Sequence, residues 1–348
     1  MKDITVLFTC ALGDYMESTI KCVKSNFDER KIRVIGTDIR KMEYNFNDID
    51  KLYVVPRCDD AHYVDDILSI CKEENVDVLI PTNTTELEKF EHQKKRFENF
   101  GIAVATAGGG IYSVNSKDGL LNLMKRLGMD HVPSEVVEYV FQAETFILRN
   151  GIDKTYCIKK LDSCGARGFK ILTANNPNSP LDKGTNRIPM SALGELLETQ
   201  GPMLMQEYLT GRELTVDMLC DKGRVLYSFT KENKEMMNGV AQWSKVVDDP
   251  YAEEICSRIV EEAKLSGNVG FDVKYSQNGK PFVIDCNPRL TATIALSKIV
   301  GINLPYLGIK YALKEELPKL KSNGKHPECV RRVKDYFFDG ESEVECYV

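Results

Sequence analysis

The chain has 348 residues, 43% of them hydrophobic and 28% charged, and a formal net charge of −6. Such a length calls for more than one core, and such a composition for a folded chain. The acidic balance removes any general attraction to nucleic acid or anionic membrane, and only a local basic pocket for a phosphate stays open.

The first ten residues, MKDITVLFTC, read as a first β-strand rather than a secretory signal, and no run nears the ~18 apolar residues of a membrane span. Eleven cysteines without a C-x-x-C pair and four scattered histidines argue against a disulfide framework or a zinc site and fit a reducing cytoplasm. In chain order, Ile4–Thr9 predicts a strand, Cys10–Asp14 a turn into a helix, and Ile32–Ile39 and Leu52–Val55 two further strands. Tyr63–Glu74 predicts a helix and Val76–Thr82 a buried strand. Thr85-x-x-Glu88 has the form of a capping box opening a charged helix, and Ile102–Thr106 closes the series. Strands separated by helices imply a doubly wound parallel sheet. A dinucleotide site is not expected there, because the first turn carries only Gly13 where the phosphate fingerprint needs three glycines.

Thr106–Gly110 reads as a flexible joint near a domain boundary. Next, Ser116 caps a helix carrying Lys117 in its first turn. A cation there opposes the helix dipole, so a bound anion would explain it, as would simple solvation. Tyr156–Lys160 is a strand ending on two lysines, followed by the small-residue loop Ser163–Gly168 and the strand Phe169–Leu172. Lys159 and the backbone N–H groups of Gly165, Ala166 and Gly168 could close on phosphate oxygens, although a glycine-bearing hairpin fits equally. Asn175–Asn186 and Gly194–Gly201 read as loops. Met203–Leu209 is an apolar strand running into a linker, and a new strand begins at Glu213. Such a linker can offer backbone groups to the edge of adenine, with Glu213 accepting ribose hydroxyls; E-x-x-x-G-x-E also describes an ordinary connection.

The most specific signal is a hairpin. Gly270–Tyr275 and Pro281–Arg289 flank the turn Ser276–Lys280. Alternation puts Asp285 and Asn287 on one face with Ile284 and Cys286 on the other, and pairing can bring Asp272 beside Asp285. Two carboxylates and an amide oxygen at one place suit Mg²⁺. Arg289 follows, placed for a phosphoryl group or a carboxylate. Val330–Phe338 predicts one more strand before an acidic tail.

From Lys117 to about Arg289 these elements, in this order, resemble the ATP-grasp superfamily, nearest the carbamoyl-phosphate synthetase large-subunit-like ligases. I-D-C-N-P-R at 284–289 is the specific part. The resemblance implies an α/β and α+β chain: a pre-ATP-grasp Rossmann-like domain over 1–112, a two-subdomain ATP-grasp domain over 113–330 with its lid at about 130–207, and a C-terminal strand and tail over 331–348. It also implies ATP and Mg²⁺ as cofactors, with Mn²⁺ as a substitute. Lys117 and Lys159 would bind α- and β-phosphates under the Ser163–Gly168 loop. Glu207, Tyr208 and Leu209 would meet adenine, Glu207 and Leu209 through backbone atoms, and Glu213 would hold ribose. Asp272, Asp285 and Asn287 would carry the metal, and Arg289 would steady the γ-phosphate or acyl phosphate. Departures from the family pattern are Lys160 for a proline, Ser163 and Ala166 in the loop, Asp285 for a glutamate, and Lys274 on the face of Asp272, where it could compete with a metal.

The expected activity is that of a cytoplasmic ADP-forming carboxylate–amine ligase acting on small molecules, an amino acid or a small peptide by family likeness, with a homodimer as one option. An enzyme releasing a free acyl phosphate, like a carbamoyl-phosphate synthetase, and a non-catalytic ATP sensor are the alternatives. Cys10–Asp14, Pro81–Thr85 and Lys231–Lys245 are candidate specificity segments.

Overall fold

The computed structural model describes residues 1–41, 48–161, 168–173, 186–237 and 239–332, with two short strands at 337–339 and 342–344. The N-terminal unit contains β1 (Ile4–Phe8), α1 (Met16–Lys24), β2 (Ile32–Asp38), β3 (Lys51–Val54), α2 (Tyr63–Glu73), β4 (Val78–Ile80), α3 (Thr84–Glu98) and β5 (Ala103–Val104). Its strands are all parallel in the order β3-β2-β1-β4-β5. Both faces are covered, as continuous apolar strands require. Val6 and Phe8 pack with Met16 and Ile20 of α1, while Leu7 and Leu79 pack with Ile67 of α2 and Phe90 of α3. The chain reverses its direction of travel between β1 and β4, so a crevice opens beyond their carboxyl ends.

The capping box lies two residues earlier than the sequence pattern suggests. Asn83 is the cap, and the Glu86 carboxylate accepts the Asn83 N–H at 2.9 Å. Both Asn83/Glu86 and Thr85/Glu88 fit the pattern. Burial decides, because Glu86 is fully enclosed and takes donors from Thr9, Tyr63 and the Thr82 N–H as well. Thr106–Gly110 is a packed run: a Cβ on Gly110 would stand 1.9 Å from the Ala263 carbonyl oxygen, and the Ser266 N–H bonds to Ala107 at 2.8 Å.

The middle of the chain forms α4 (Lys117–Arg126), β6 (Ser134–Val137), α5 (Val140–Asn150), β7 (Tyr156–Lys160), β8 (Lys170–Thr173), β9 (Arg187–Pro189), α6 (Leu193–Gln200) and β10 (Met203–Glu207). Its sheet runs β6-β10-β7-β8-β9. Residues 194–201, read as a loop, belong mostly to α6. Burial of Leu193 and Leu197 against Phe146 and Met203 outweighs the cost of Gly194 inside the helix. The expected loop at 175–186 lies outside the described residues except for Asn186.

The third sheet, antiparallel in the order β15-β14-β11-β12-β13-β16, holds β11 (Glu213–Asp221), β12 (Arg224–Met237), β13 (Val240–Val247), β14 (Gly267–Tyr275), β15 (Pro281–Asn287) and β16 (Glu328–Val330). α7 (Pro250–Ala263) and α4 cover one face through Ile259, Val260, Leu120 and Met124. α8 (Leu296–Ile299) and α9 (Leu304–Ala312) lead back to the N-terminal sheet, where Leu304 and Leu307 join its core. The strand expected over Val330–Phe338 is two separate pieces. β16 ends at Val330, and β17 (Phe337–Asp339) forms a hairpin with β18 (Ser342–Val344) inside the stretch read as a tail. No helix among the described residues is long and apolar enough to cross a membrane.

Candidate active site

The three sheets meet around a cleft of about 570 Å³. Its floor is the hairpin of β14 and β15, in which Asp272 stands directly opposite Asp285. The register then shifts: the next pair is Val273 with Val283, so Ile284 is an extra residue on β15. This bulge corrects the simple alternation. Val283 and Cys286 both enter the core, while Ile284 lines the cleft with Asp285 and Asn287.

Asp272 accepts from the Thr215 hydroxyl at 2.8 Å and from the Asn287 amide nitrogen at 3.1 Å. Burial, with Glu213 and Asp285 nearby, pushes its carboxyl up to about 7. Two carboxylates placed opposite each other form a seat for a cation. Among the described residues no group of three His, Cys, Asp or Glu side chains could hold a metal, so the donor set is two carboxylates and one amide. The Asn287 oxygen now accepts from the Arg289 guanidinium at 3.2 Å, and turning that amide would present oxygen to an ion. The residues therefore fit a hard divalent cation.

Two lysines line the same cleft. Lys159 on β7 is buried and donates to Gln206 at 2.8 Å, and Gln206 donates to Ser134 at 2.8 Å. The Gln206 amide is neutral, so this bond orients the Lys159 ammonium without cancelling it. Lys117, in the first turn of α4 behind its Ser116 cap, lies 3.6 Å from Asp285. That carboxylate accounts in part for a cation at a helix N-terminus. Gly165 and Ala166 lie outside the described residues. Gly168 has φ +77°, and a Cβ there would stand 2.9 Å from Lys160 Cβ, so a side chain is excluded.

Between β10 and β11 the linker folds tightly. The Tyr208 N–H bonds to Thr155 at 2.8 Å, while the Leu209 N–H has no acceptor among the described residues. A Cβ on Gly211 would come 2.3 Å from the Tyr275 carbonyl, which explains the glycine in E-x-x-x-G-x-E. Glu207 turns its carboxylate outward to Lys154 at 2.8 Å, leaving only its backbone for a ligand. Glu213 pairs with Lys274 at 2.8 Å, and Lys274 also sits 5.5 Å from the centroid of the Tyr208 ring. Lys274 thus points along the linker rather than at Asp272, and the expected competition with a metal does not arise in this arrangement.

Arg289 crosses to the N-terminal unit, where its Nε donates to Thr84 Oγ1 at 3.1 Å. The three candidate specificity segments all reach the cleft, through Cys10 and Gly13, through Thr82 to Thr84, and through Lys231 to Ala241. Sequence reasoning passed over Thr215, Gln206, Ile284, Thr291 and Thr293, which also line it. Thr215 had a readable signal, lying two positions after Glu213 on one strand face.

Residues 199–335 match the family described as ATP-grasp in the biosynthetic pathway with Ter operon, and residues 8–105 match the PylC-like N-terminal domain. The carbamoyl phosphate synthase large chain of Clostridium acetobutylicum is 22% identical over 303 residues, which cover 82% of this chain and 26% of that protein. The chain thus spans about a quarter of that relative's length. Among solved structures, biotin carboxylase of Campylobacter jejuni in complex with β-γ-ATP has a TM-score of 0.72 at 16% identity, over 94% of this chain and 75% of that one. L-amino acid ligase from Bacillus licheniformis has a TM-score of 0.62 at 12% identity, over 90% and 75% of the two chains. Likeness at such identities speaks to the fold, which this chain shares with biotin carboxylase, and the two family matches put an ATP-grasp match behind a PylC-like N-terminal match in chain order.

Proposed function

We propose that this chain is an ATP- and Mg²⁺-dependent, ADP-forming carboxylate–amine ligase. The observation that carries the reading is the β14–β15 register, which sets Asp272 against Asp285 beside Asn287 and Arg289, in one cleft with Lys117 and Lys159. Linker atoms of Glu207 and Leu209 would face adenine, Ile284 and Tyr208 would flank it, and Glu213 would take the ribose. Lys117 and Lys159 would neutralise the α- and β-phosphates. Mg²⁺ held by Asp272, Asp285 and Asn287 would screen charge on the phosphate oxygens; Mn²⁺ is a chemically reasonable substitute.

In the first step a substrate carboxylate oxygen attacks the γ-phosphorus, the bond to the bridging oxygen breaks, and ADP leaves. An amine nitrogen then attacks the acyl carbon, phosphate departs, and the amine gives up a proton. No side chain forms a covalent bond. The protein's part is to position the reactants, supply charge through Arg289 and the lysines, and keep water from the acyl phosphate. The C. acetobutylicum relative is named for carbamoyl phosphate synthesis, which keeps release of a free acyl phosphate as the second reading.

Measuring ADP release with candidate acids, with and without amines, separates the readings. Turnover needing both substrates supports the ligase. Turnover with acid alone supports the acyl phosphate-forming enzyme, and Mg·ATP binding without turnover supports a sensor. Asp285→Ala and Asn287→Ala should each abolish turnover with the far-UV spectrum unchanged; full activity in either removes the metal-site argument.

A further inference from the structure

Charge is distributed unequally along the cleft. Among the described residues its four lining carboxylates, Glu207, Glu213, Asp272 and Asp285, all belong to the β10–β11 connection or the β14–β15 hairpin. The other end lies between the β1 and β4 loops and the β12–β13 hairpin. Two register shifts in β12, at Asn233/Glu235 and Glu235/Met236, mark where this hairpin bends. Tyr15, Thr82, Asn83, Thr291 and Thr293 line that end with hydroxyls and an amide. Met236, Val240 and Ala241 give it an apolar wall. Among the described residues no carboxylate lines it.

Among the described residues two cations reach this end. Lys231 is 1% exposed and is cancelled by Asp217, equally buried, with Thr291 bonded to both. Arg289 donates only to neutral acceptors, Thr84 Oγ1 at 3.1 Å, the Leu290 carbonyl at 2.8 Å and Asn287 Oδ1 at 3.2 Å, and no carboxylate pairs with it among the described residues. The complement of this end is therefore one negative charge at Arg289, a body that accepts or donates neutral hydrogen bonds, and an apolar terminus.

We propose that the acid activated here is a monocarboxylate with an uncharged, apolar-ended body, rather than a zwitterionic amino acid or a dicarboxylate. The proposal rests on the ligase reading above and names its acid. Among the described residues an α-ammonium would be desolvated among hydroxyls with no carboxylate to pair it, and a second carboxylate would meet no uncancelled cation at this end. The constraint does not extend to the amine, which enters after the acyl phosphate has formed.

The test traps the acyl phosphate with hydroxylamine. Its nitrogen attacks the acyl carbon, phosphate leaves, and a hydroxamate is read by colour for any acid. Matched acids are compared at saturating Mg·ATP: 2-hydroxy and unsubstituted monocarboxylates against the 2-amino acid and the dicarboxylate of the same skeleton, with Mg·ATP binding measured separately by calorimetry. The expected result is a kcat/KM for neutral-bodied acids at least about 30-fold above their charged counterparts. Met236→Glu should lower kcat/KM for apolar-ended acids about tenfold or more while Met236→Leu restores it, with Mg·ATP affinity unchanged in both. Amino acids or dicarboxylates turned over as well as the neutral acids overturn this proposal and leave the ligase reading intact. Mg·ATP binding with no hydroxamate from any acid also overturns it. Absence of Mg·ATP binding removes the reading beneath it.

Discussion

Lys231→Met tests whether the charge pair under the cleft is as demanding as its geometry implies. Lys231 and Asp217 are each 1% exposed, with the ammonium 2.5 Å from Asp217 Oδ2. Thr291 closes the triangle, accepting from Lys231 at 2.8 Å and donating to Asp217 at 2.7 Å. Methionine keeps most of the volume and removes the charge, leaving the Asp217 carboxylate buried with the Thr291 hydroxyl. Stranding one member of a buried pair costs about 3–5 kcal/mol. At roughly 2–4 °C per kcal/mol for domains of this size, the melting temperature should fall by about 6–20 °C. Lys231→Met with Asp217→Asn should recover most of the loss, because no charge then remains unpaired. The assay is thermal unfolding by circular dichroism without nucleotide. A single variant melting within about 3 °C of the parent, with no gain in the double variant, would refute the reasoning.

Gly211→Ala pushes a methyl group into the Tyr275 carbonyl, 2.3 Å from the built Cβ; it should cost about 1–3 kcal/mol and raise KM for ATP through the displaced linker. Glu213→Ala removes the proposed ribose acceptor and releases Lys274, so KM for ATP should rise with kcat little changed; a fall confined to kcat would contradict the role. Glu74 is held by Lys51, Tyr53 and Arg33, whose hydrogen bonds pull its carboxyl down to about 2 from 4.5. Its stabilisation is full above the ordinary carboxylate range and lost as pH falls towards 2, so Glu74→Gln should melt below the parent at pH 7 and converge with it in strong acid.

Residue order alone located the β14–β15 hairpin, because Asp and Asn are poor strand formers and stand out in a strand that is apolar elsewhere. It did not reveal the bulge at Ile284. One inserted residue leaves no mark in composition, and only cross-strand pairing shows that Val283 rather than Ile284 faces the core. The same limit applies to Asp217 and Thr291, which stand 14 and 60 positions from the lysine they hold. The polar run Lys231–Lys234 in β12 hid another part: Lys231, expected only as the start of a specificity segment, is among the most buried residues in the protein. Where local rules compete, as between two capping registers two residues apart, tertiary enclosure of one carboxylate makes the choice.

The link from Arg289 to Thr84 joins residues 205 positions apart and carries a consequence for how the chain can be divided. The guanidinium belongs to the bend that follows β15 in one unit, and the hydroxyl that orients it belongs to the first turn of a helix in the other. Neither half made separately would own a finished reaction centre. Two polypeptides cut near residue 112 should each be inert, and mixing them should restore turnover only as fast as they reassociate.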